Sequence, residues 1–355
     1  MLDRPAADRI LERLDQLTAE EGPLRARDAA ARLEVSEGEL VAAKVHRGAG
    51  VRLRPDPVRN FGPLLEAMPA AGDVMVLTRN EACVHERHGS FGNVEIGDTA
   101  GFVANGGVDL RLFLRHWAFG FALEEQAGKV MRRSLQFFDG SGTAVHKIYA
   151  TDRTDRAAFE ALIADWTDPD PQPVSVTPAE PPAPDRPDAE IDVEGLRRDW
   201  LAMQDSHDFF PLLRRYKVGR VQALRLAGED LARPVALDAP TRLLELAAER
   251  EVPIMVFAQS RGCVQIHTGP VKRIKAHGPW INVLDPDFDL HLRTDLVAGA
   301  WLVRKPTRDG VLTALEVYDA AGGQVCLFLG TRERGAPECE DWRGVLGTLA
   351  DGFIQ

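Results

Sequence analysis

A pattern of residues recurs along this chain at a fixed spacing. Cys83-Val84 returns as Cys263-Val264, a shift of 180 residues, and the same shift carries Met75-Val76 onto Met255-Val256 and Asp109-Leu110 onto Asp289-Leu290. It also carries Asp139 and Gly142 onto Asp319 and Gly322. Agreement of turn residues and alternating apolar positions over about 70 residues marks an internal duplication. Such a chain must fold as two similar modules, and its 355 residues exceed what one ordinary core holds.

Each copy reads as helices, then a long antiparallel meander, then one helix. Residues 5–50 carry helical periodicity, and Ser36 followed by Glu39 forms a capping-box signature. From Asp73 the apolar period falls to two, in VMVLTR, ACVHER, GNVEI, GFVA and VDLRLFL, with glycine-containing turns between. A helix is predicted over 155–166, where Phe159, Leu162 and Ile163 share a face, and its counterpart over 339–351. The expected fold is α+β, two similar halves of seven to nine strands, each a large antiparallel sheet flanked by helices. Thr167–Asp192 is rich in proline and acid and reads as an extended linker. The expected organisation is therefore an N-terminal repeat over 1–166, a linker over 167–192 and a C-terminal repeat over 193–355.

Composition narrows the function classes. With 45% hydrophobic and 27% charged residues the chain is of soluble globular type. No run approaches the roughly 18 apolar residues of a membrane span, and MLDRPAADRILERLDQL lacks the apolar core of a secretory signal. A cytoplasmic protein without membrane insertion is expected. Cys83, Cys263, Cys326 and Cys339 show no metal-finger spacing and read as reduced thiols. A net charge of −11 opposes binding to nucleic acid. The segment 25–48 has the outline of a helix-turn-helix, which makes a DNA-binding regulator the remote alternative, but its second helix offers only Lys44 and nearby Arg47 to a groove.

The stretch Asp199–Arg215, DWLAMQDSHDFFPLLRR, carries the chemistry. Read as one helix, it places Trp200, Met203, His207 and Phe210 on one face, a single imidazole in an apolar and aromatic stripe. Haem iron takes a neutral histidine nitrogen while the porphyrin buries its faces against such side chains. A core or capping histidine would give the same pattern.

This stretch, with VDLRLF at 108–113, VRKPT at 303–307 and FLGTRERG at 328–335, resembles the cytoplasmic haemin-degrading factor family of HemS/ChuS type, in order over nearly the whole chain. The resemblance implies His207 as the axial ligand to iron in a cleft between the halves. It implies Arg111 acting on the distal side, as the catalytic group if the ring is opened, with Phe113 packing on the porphyrin. Lys305 and Arg332 would neutralise the propionates or line the distal pocket, with Arg304 and Arg334 as substitutes. Read without the resemblance, Asp109 and Arg111 make a surface pair, and Lys305 and Arg332 are surface charges.

Polar positions at which the two copies diverge point to a single site. Under the shift, Arg111 corresponds to His291, Glu125 to Lys305 and His146 to Cys326. Some family members carry tyrosine where Cys326 stands, so any role for that phenol is lost here. Other patterns fail. CVHERH, with Cys83, His85 and His88, lacks the HExxH spacing and is expected on the solvent face and in a turn. Asp205, Ser206, His207 and Asp208 have no nucleophile elbow, and Walker, Rossmann and CxxCH motifs are absent.

The expected function is haem b binding in uptake and iron utilisation, with ring opening driven by an external electron donor. The alternative is a chaperone that delivers haem from an ABC importer to a separate haem oxygenase. The protein would act as a monomer or homodimer.

Overall fold

The capping signal at Ser36 forms as the sequence requires: Glu39 N donates to Ser36 Oγ at 3.1 Å, and Ser36 N donates to Glu39 Oε2 at 2.9 Å. A computed structural model describes residues 4–128, 130–332 and 335–350. Its eighteen strands make two nine-stranded antiparallel sheets, flanked by helices. The first copy runs through helices α1 (Arg4–Glu21), α2 (Ala26–Arg32) and α3 (Glu37–His46), then β1 (Gly50–Leu53) and α4 (Gly62–Ala67). Strands β2 (Gly72–Arg79), β3 (Cys83–Ser90), β4 (Asn93–Ile96), β5 (Gly101–Ala104) and β6 (Asp109–Leu112) follow. The copy closes with β7 (Phe119–Ala127), β8 (Val130–Phe138), β9 (Ala144–Thr154) and α5 (Arg156–Trp166).

The second copy repeats this order. It begins with α6 (Val193–Leu201), α7 (Phe209–Tyr216), α8 (Arg220–Leu226), β10 (Ala232–Pro234) and α9 (Ala239–Glu249). Next come β11 (Ile254–Gln259), β12 (Cys263–Gly269), β13 (Ile274–His277), β14 (Trp280–Asp285) and β15 (Phe288–Arg293). It ends with β16 (Gly299–Thr307), β17 (Gly310–Tyr318), β18 (Gln324–Gly330) and α10 (Glu340–Leu349). The expected end of the last helix at 351 lies outside the described residues.

The contacts divide the chain into two compact units. One holds the residues up to Arg79, Glu86–Glu180 and Gln259–Gln265; the other holds Asn80–His85, Pro181–Ala258 and the residues from Ile266. Each unit thus takes in a short piece of the other sequence copy. Within the first unit the strands run in the order β1-β7-β8-β9-β2, with β4-β5-β6 as a further antiparallel run. Phe61, Leu65, Val76, Leu110, Phe137 and Ile148 are at the heart of its core. Within the second, the order β10-β16-β17-β18-β11 repeats the first, and β13-β14-β15 repeats β4-β5-β6.

The duplicated turn is visible atom by atom. Asp139 Oδ1 accepts from Ser141 N and Thr143 N at 2.9 and 3.1 Å, and Asp319 Oδ1 from Ala321 N and Gly323 N at 2.9 and 2.8 Å. Gly142 and Gly322 then sit at φ +77° and +78°, a left-handed conformation in which a Cβ is strained.

Three local expectations change. The segment after Thr167 forms neither helix nor strand before Asp188, yet it is not detached from the core: Val174 is buried against Phe121 and Phe138. Its prolines remove ladder donors, not apolar side chains. CVHERH is not a solvent face either, because Cys83, Val84 and His85 are buried, His85 with its ring 4.9 Å from that of Phe288. The alternation rule assumed one wet face, and this strand has none at that end.

The third change concerns Asp199–Arg215, which is not one helix. α6 stops at Leu201, a 3₁₀ turn covers Ser206–Asp208, and α7 starts at Phe209. The break is chemical: Asp205 Oδ1 accepts from His207 N at 2.9 Å, while Asp208 Oδ2 accepts from Asp205 N at 3.0 Å and Gln204 N at 3.2 Å. Short acidic side chains that bond to backbone N–H compete with helix continuation.

Candidate functional site

The break puts His207 on display. Trp200, Met203 and Phe209 are buried, but the His207 side chain is 91% exposed and Phe210 is 62% exposed. The expected stripe is therefore split, with its tryptophan and methionine in the core and its histidine and phenylalanine outside. A core histidine is excluded. The turn is anchored on both sides: Trp200 Nε1 donates to Arg304 O at 2.9 Å, Arg308 N donates to Gln204 O at 2.9 Å, and the Trp200 and Phe209 rings meet edge-on at 4.6 Å. Asp205 Oδ1 also lies 2.6 Å from His207 Nδ1. The backbone N–H and imidazole of His207 together hold the Asp205 carboxyl below its usual range.

Beneath α7 is a buried ionic cluster. Lys305 Nζ donates to Glu316 Oε1 at 2.6 Å; Arg220 donates to both carboxylate oxygens, Nη2 to Oε1 at 2.8 Å and Nε to Oε2 at 2.9 Å. Tyr318 OH donates to Oε2 and accepts from Arg220 Nε at 2.9 Å. Burial alone would raise the Glu316 carboxyl, but Arg220 and then Lys305 hold it well below the ordinary value. Burial pulls the Lys305 ammonium down, with Glu316 opposing and Arg220 reinforcing the shift. Two cations facing one carboxylate leave the cluster with an excess positive charge. That charge lies against the exposed turn: Lys305 Nζ is 4.6 Å from the Phe209 ring centroid, and the Arg220 guanidinium is 5.2 and 5.4 Å from those of Phe209 and Phe210.

Lys305 is thus a buried, paired cation and not a surface charge. Arg332 is exposed, two residues beyond β18; Arg304 donates its backbone N–H to Leu231 O at 2.8 Å, and Arg334 lies outside the described residues. In the first unit, Arg111 Nη1 donates to Asp109 Oδ1 at 2.5 Å, the surface pair that an isolated strand would show. Phe113 leaves β6 and is half-buried, with the Arg115 guanidinium 5.6 Å from its ring centroid. Cys326 is buried beside Cys83 and is a core residue. The cations proposed for a DNA groove are occupied, Lys44 by Glu125 and Arg47 by Asp15, each at 2.8 Å.

Sequence reasoning missed Arg220, Glu316 and Tyr318. Divergence between the copies would have found Glu316 and Tyr318, since the same shift sets them against Gln136 and Phe138; Arg220 lies outside the stretch over which that shift holds.

The comparisons with known proteins decide the family. The profile of the haemin-degrading HemS.ChuX domain matches twice, over residues 34–166 and 217–349. The chain belongs to this family. The hemin transport protein HmuS of Yersinia pestis is 40% identical over 343 residues, covering 96% of each chain. The crystal structure of holo-PhuS, a heme-binding protein from Pseudomonas aeruginosa, is 42% identical with a TM-score of 0.91, covering 97% of this chain and 99% of PhuS. The heme degrading enzyme ChuS of Escherichia coli O157:H7 is 36% identical with a TM-score of 0.89 at the same coverage. Both HemS.ChuX matches fall on the two copies seen in the sequence, so the repeat is the family's domain used twice.

Proposed function

We propose that this member of the HemS.ChuX family binds haem b through His207 in the cytoplasm, and opens the ring to release iron when an external electron donor is present. One observation carries the binding: a solvent-facing imidazole whose Nδ1 is engaged by Asp205, next to an exposed phenylalanine. The donor set suits the group. A neutral imidazole nitrogen is a ligand for haem iron, Phe210 offers an apolar contact to a flat macrocycle, and the excess positive charge of the Arg220–Lys305–Glu316 cluster suits propionate carboxylates. Exposed Arg332 is a second counter-charge. Bound haem would supply the iron chemistry; Arg111, with Phe113, is given a part in handling it and is the candidate catalytic group.

The relatives support both ring opening and transport, since one is called a heme degrading enzyme and another a hemin transport protein. Exposure of His207 favours the second reading, a carrier that passes haem from an importer to an oxygenase, because a surface ligand can be approached by another protein. Absorbance titration with haemin tests the common part: saturation near one haem per chain is expected, with a changed iron band in His207→Ala. Reductant is then added in air. An open-chain product that Arg111→Ala loses selects degradation, and intact haem selects the carrier.

A further inference from the structure

The turn that presents His207 does more than expose it. An ionised carboxylate only accepts hydrogen bonds, so the 2.6 Å contact between Asp205 Oδ1 and His207 Nδ1 requires the imidazole proton to sit on Nδ1. Nε2 is then the nitrogen with a lone pair. Asp205 is itself fixed: its Oδ1 holds His207 N at 2.9 Å, and its backbone N–H is held by Asp208 Oδ2 at 3.0 Å. Histidine, carboxylate and backbone are thus locked within four consecutive residues. This arrangement is the one by which an outer carboxylate orients a metal-bound imidazole and raises its basicity.

We infer that Asp205 is a positioning residue that fixes the His207 tautomer with Nε2 as donor and strengthens that nitrogen as a ligand; this rests on the proposed axial role of His207. A negative charge on the far side of the ring favours ferric over ferrous iron, because it stabilises the more positive metal. Packing alone would not shift a reduction potential in a sign that follows the carboxylate's charge. Asp205→Asn keeps an acceptor oxygen and the cap but removes the charge; Asp205→Ala removes both.

The test uses the full chain with ¹⁵N-labelled histidine, first without haem. His207 is expected as the Nδ1–H tautomer in the wild type and in Asp205→Asn, and as a mixture in Asp205→Ala. With haemin bound, both variants should show a higher reduction potential and a lower ferrous iron–histidine stretching frequency than the wild type. Asp205→Ala should also lose about tenfold in haem affinity. Unchanged tautomer, potential and stretch in Asp205→Ala would overturn the role of Asp205 while leaving His207 ligation standing. An iron band unchanged in His207→Ala would instead remove the ligation, and the inference with it. A thermal melt close to wild type for Asp205→Asn keeps the potential readout independent of folding.

Discussion

Lys305 Nζ and Glu316 Oε1 meet at 2.6 Å inside the second unit, on side chains that are 7% and 0% exposed. Removing Glu316 leaves two buried cations with no counter-charge. Glu316→Gln is therefore expected to cost about 3–5 kcal/mol in urea unfolding, whereas the Lys305→Met change, which leaves the Arg220–Glu316 pair, should cost less. The folded carboxyl is held below its unfolded value, so its contribution is complete above about pH 4.3 and is lost as the pH falls toward the folded pKa. Acid unfolding of wild type, but not of Glu316→Gln, should carry this component.

His146 gives the first unit its own pH dependence, with the window higher. Burial pushes its imidazole down to about 3, with Nδ1 2.9 Å from Thr78 Oγ1. The unfolded chain takes up this proton near pH 6.5 and the folded one does not, so the stabilisation is full above about pH 6.5 and declines on acidification toward the folded pKa. Between pH 6.5, where the unfolded imidazole is half protonated, and pH 5 this amounts to about 1.6 kcal/mol, the slope approaching about 1.36 kcal/mol per pH unit only below pH 6. Unfolding free energies of His146→Gln measured at those two pH values should differ from each other by about that much less than those of wild type.

The two turn glycines separate backbone strain from crowding. A Cβ on Gly142 would lie 2.2 Å from Ser36 Oγ, the cap of α3, but one on Gly322 would meet Val221 Cγ2 at 3.7 Å. Gly322→Ala is expected to cost about 1 kcal/mol for its positive φ. Gly142→Ala should cost about 1 kcal/mol more, because Ser36 cannot move without giving up its cap. Equal costs in chemical denaturation would refute the crowding.

These glycines also show what was legible in the sequence. Turn chemistry is local, so the shift that pairs Gly142 with Gly322 predicted a shared turn, and Ser36-x-x-Glu39 predicted a helix start. The same locality hid other features. Nothing in the periodicity says which core Asn80–His85 enters, because strand patterns record burial and not the partner. The apolar spacing of Trp200, Met203, His207 and Phe210 suggested a helix face, but Asp205 and Asp208 won by bonding to the backbone. The His207 assignment came from residue type and resemblance, whereas its exposure and its carboxylate partner are facts of the turn.

Cysteine reactivity separates the core positions from the surface. Cys83, Cys263 and Cys326 are buried and Cys339 is exposed. Burial pushes the Cys263 thiol up to about 12 and raises that of Cys326 well above its usual value, the latter with Cys83 beside it. Thiolate is the reacting form, so neither should react at pH 8 while the fold is intact. One fast equivalent per chain with a thiol-specific chromogenic disulfide is expected, lost in Cys339→Ser, and four after denaturation. If Cys326, which replaces the tyrosine of some relatives, instead reacted at the fast rate in the native chain, its place in the closed core would be wrong.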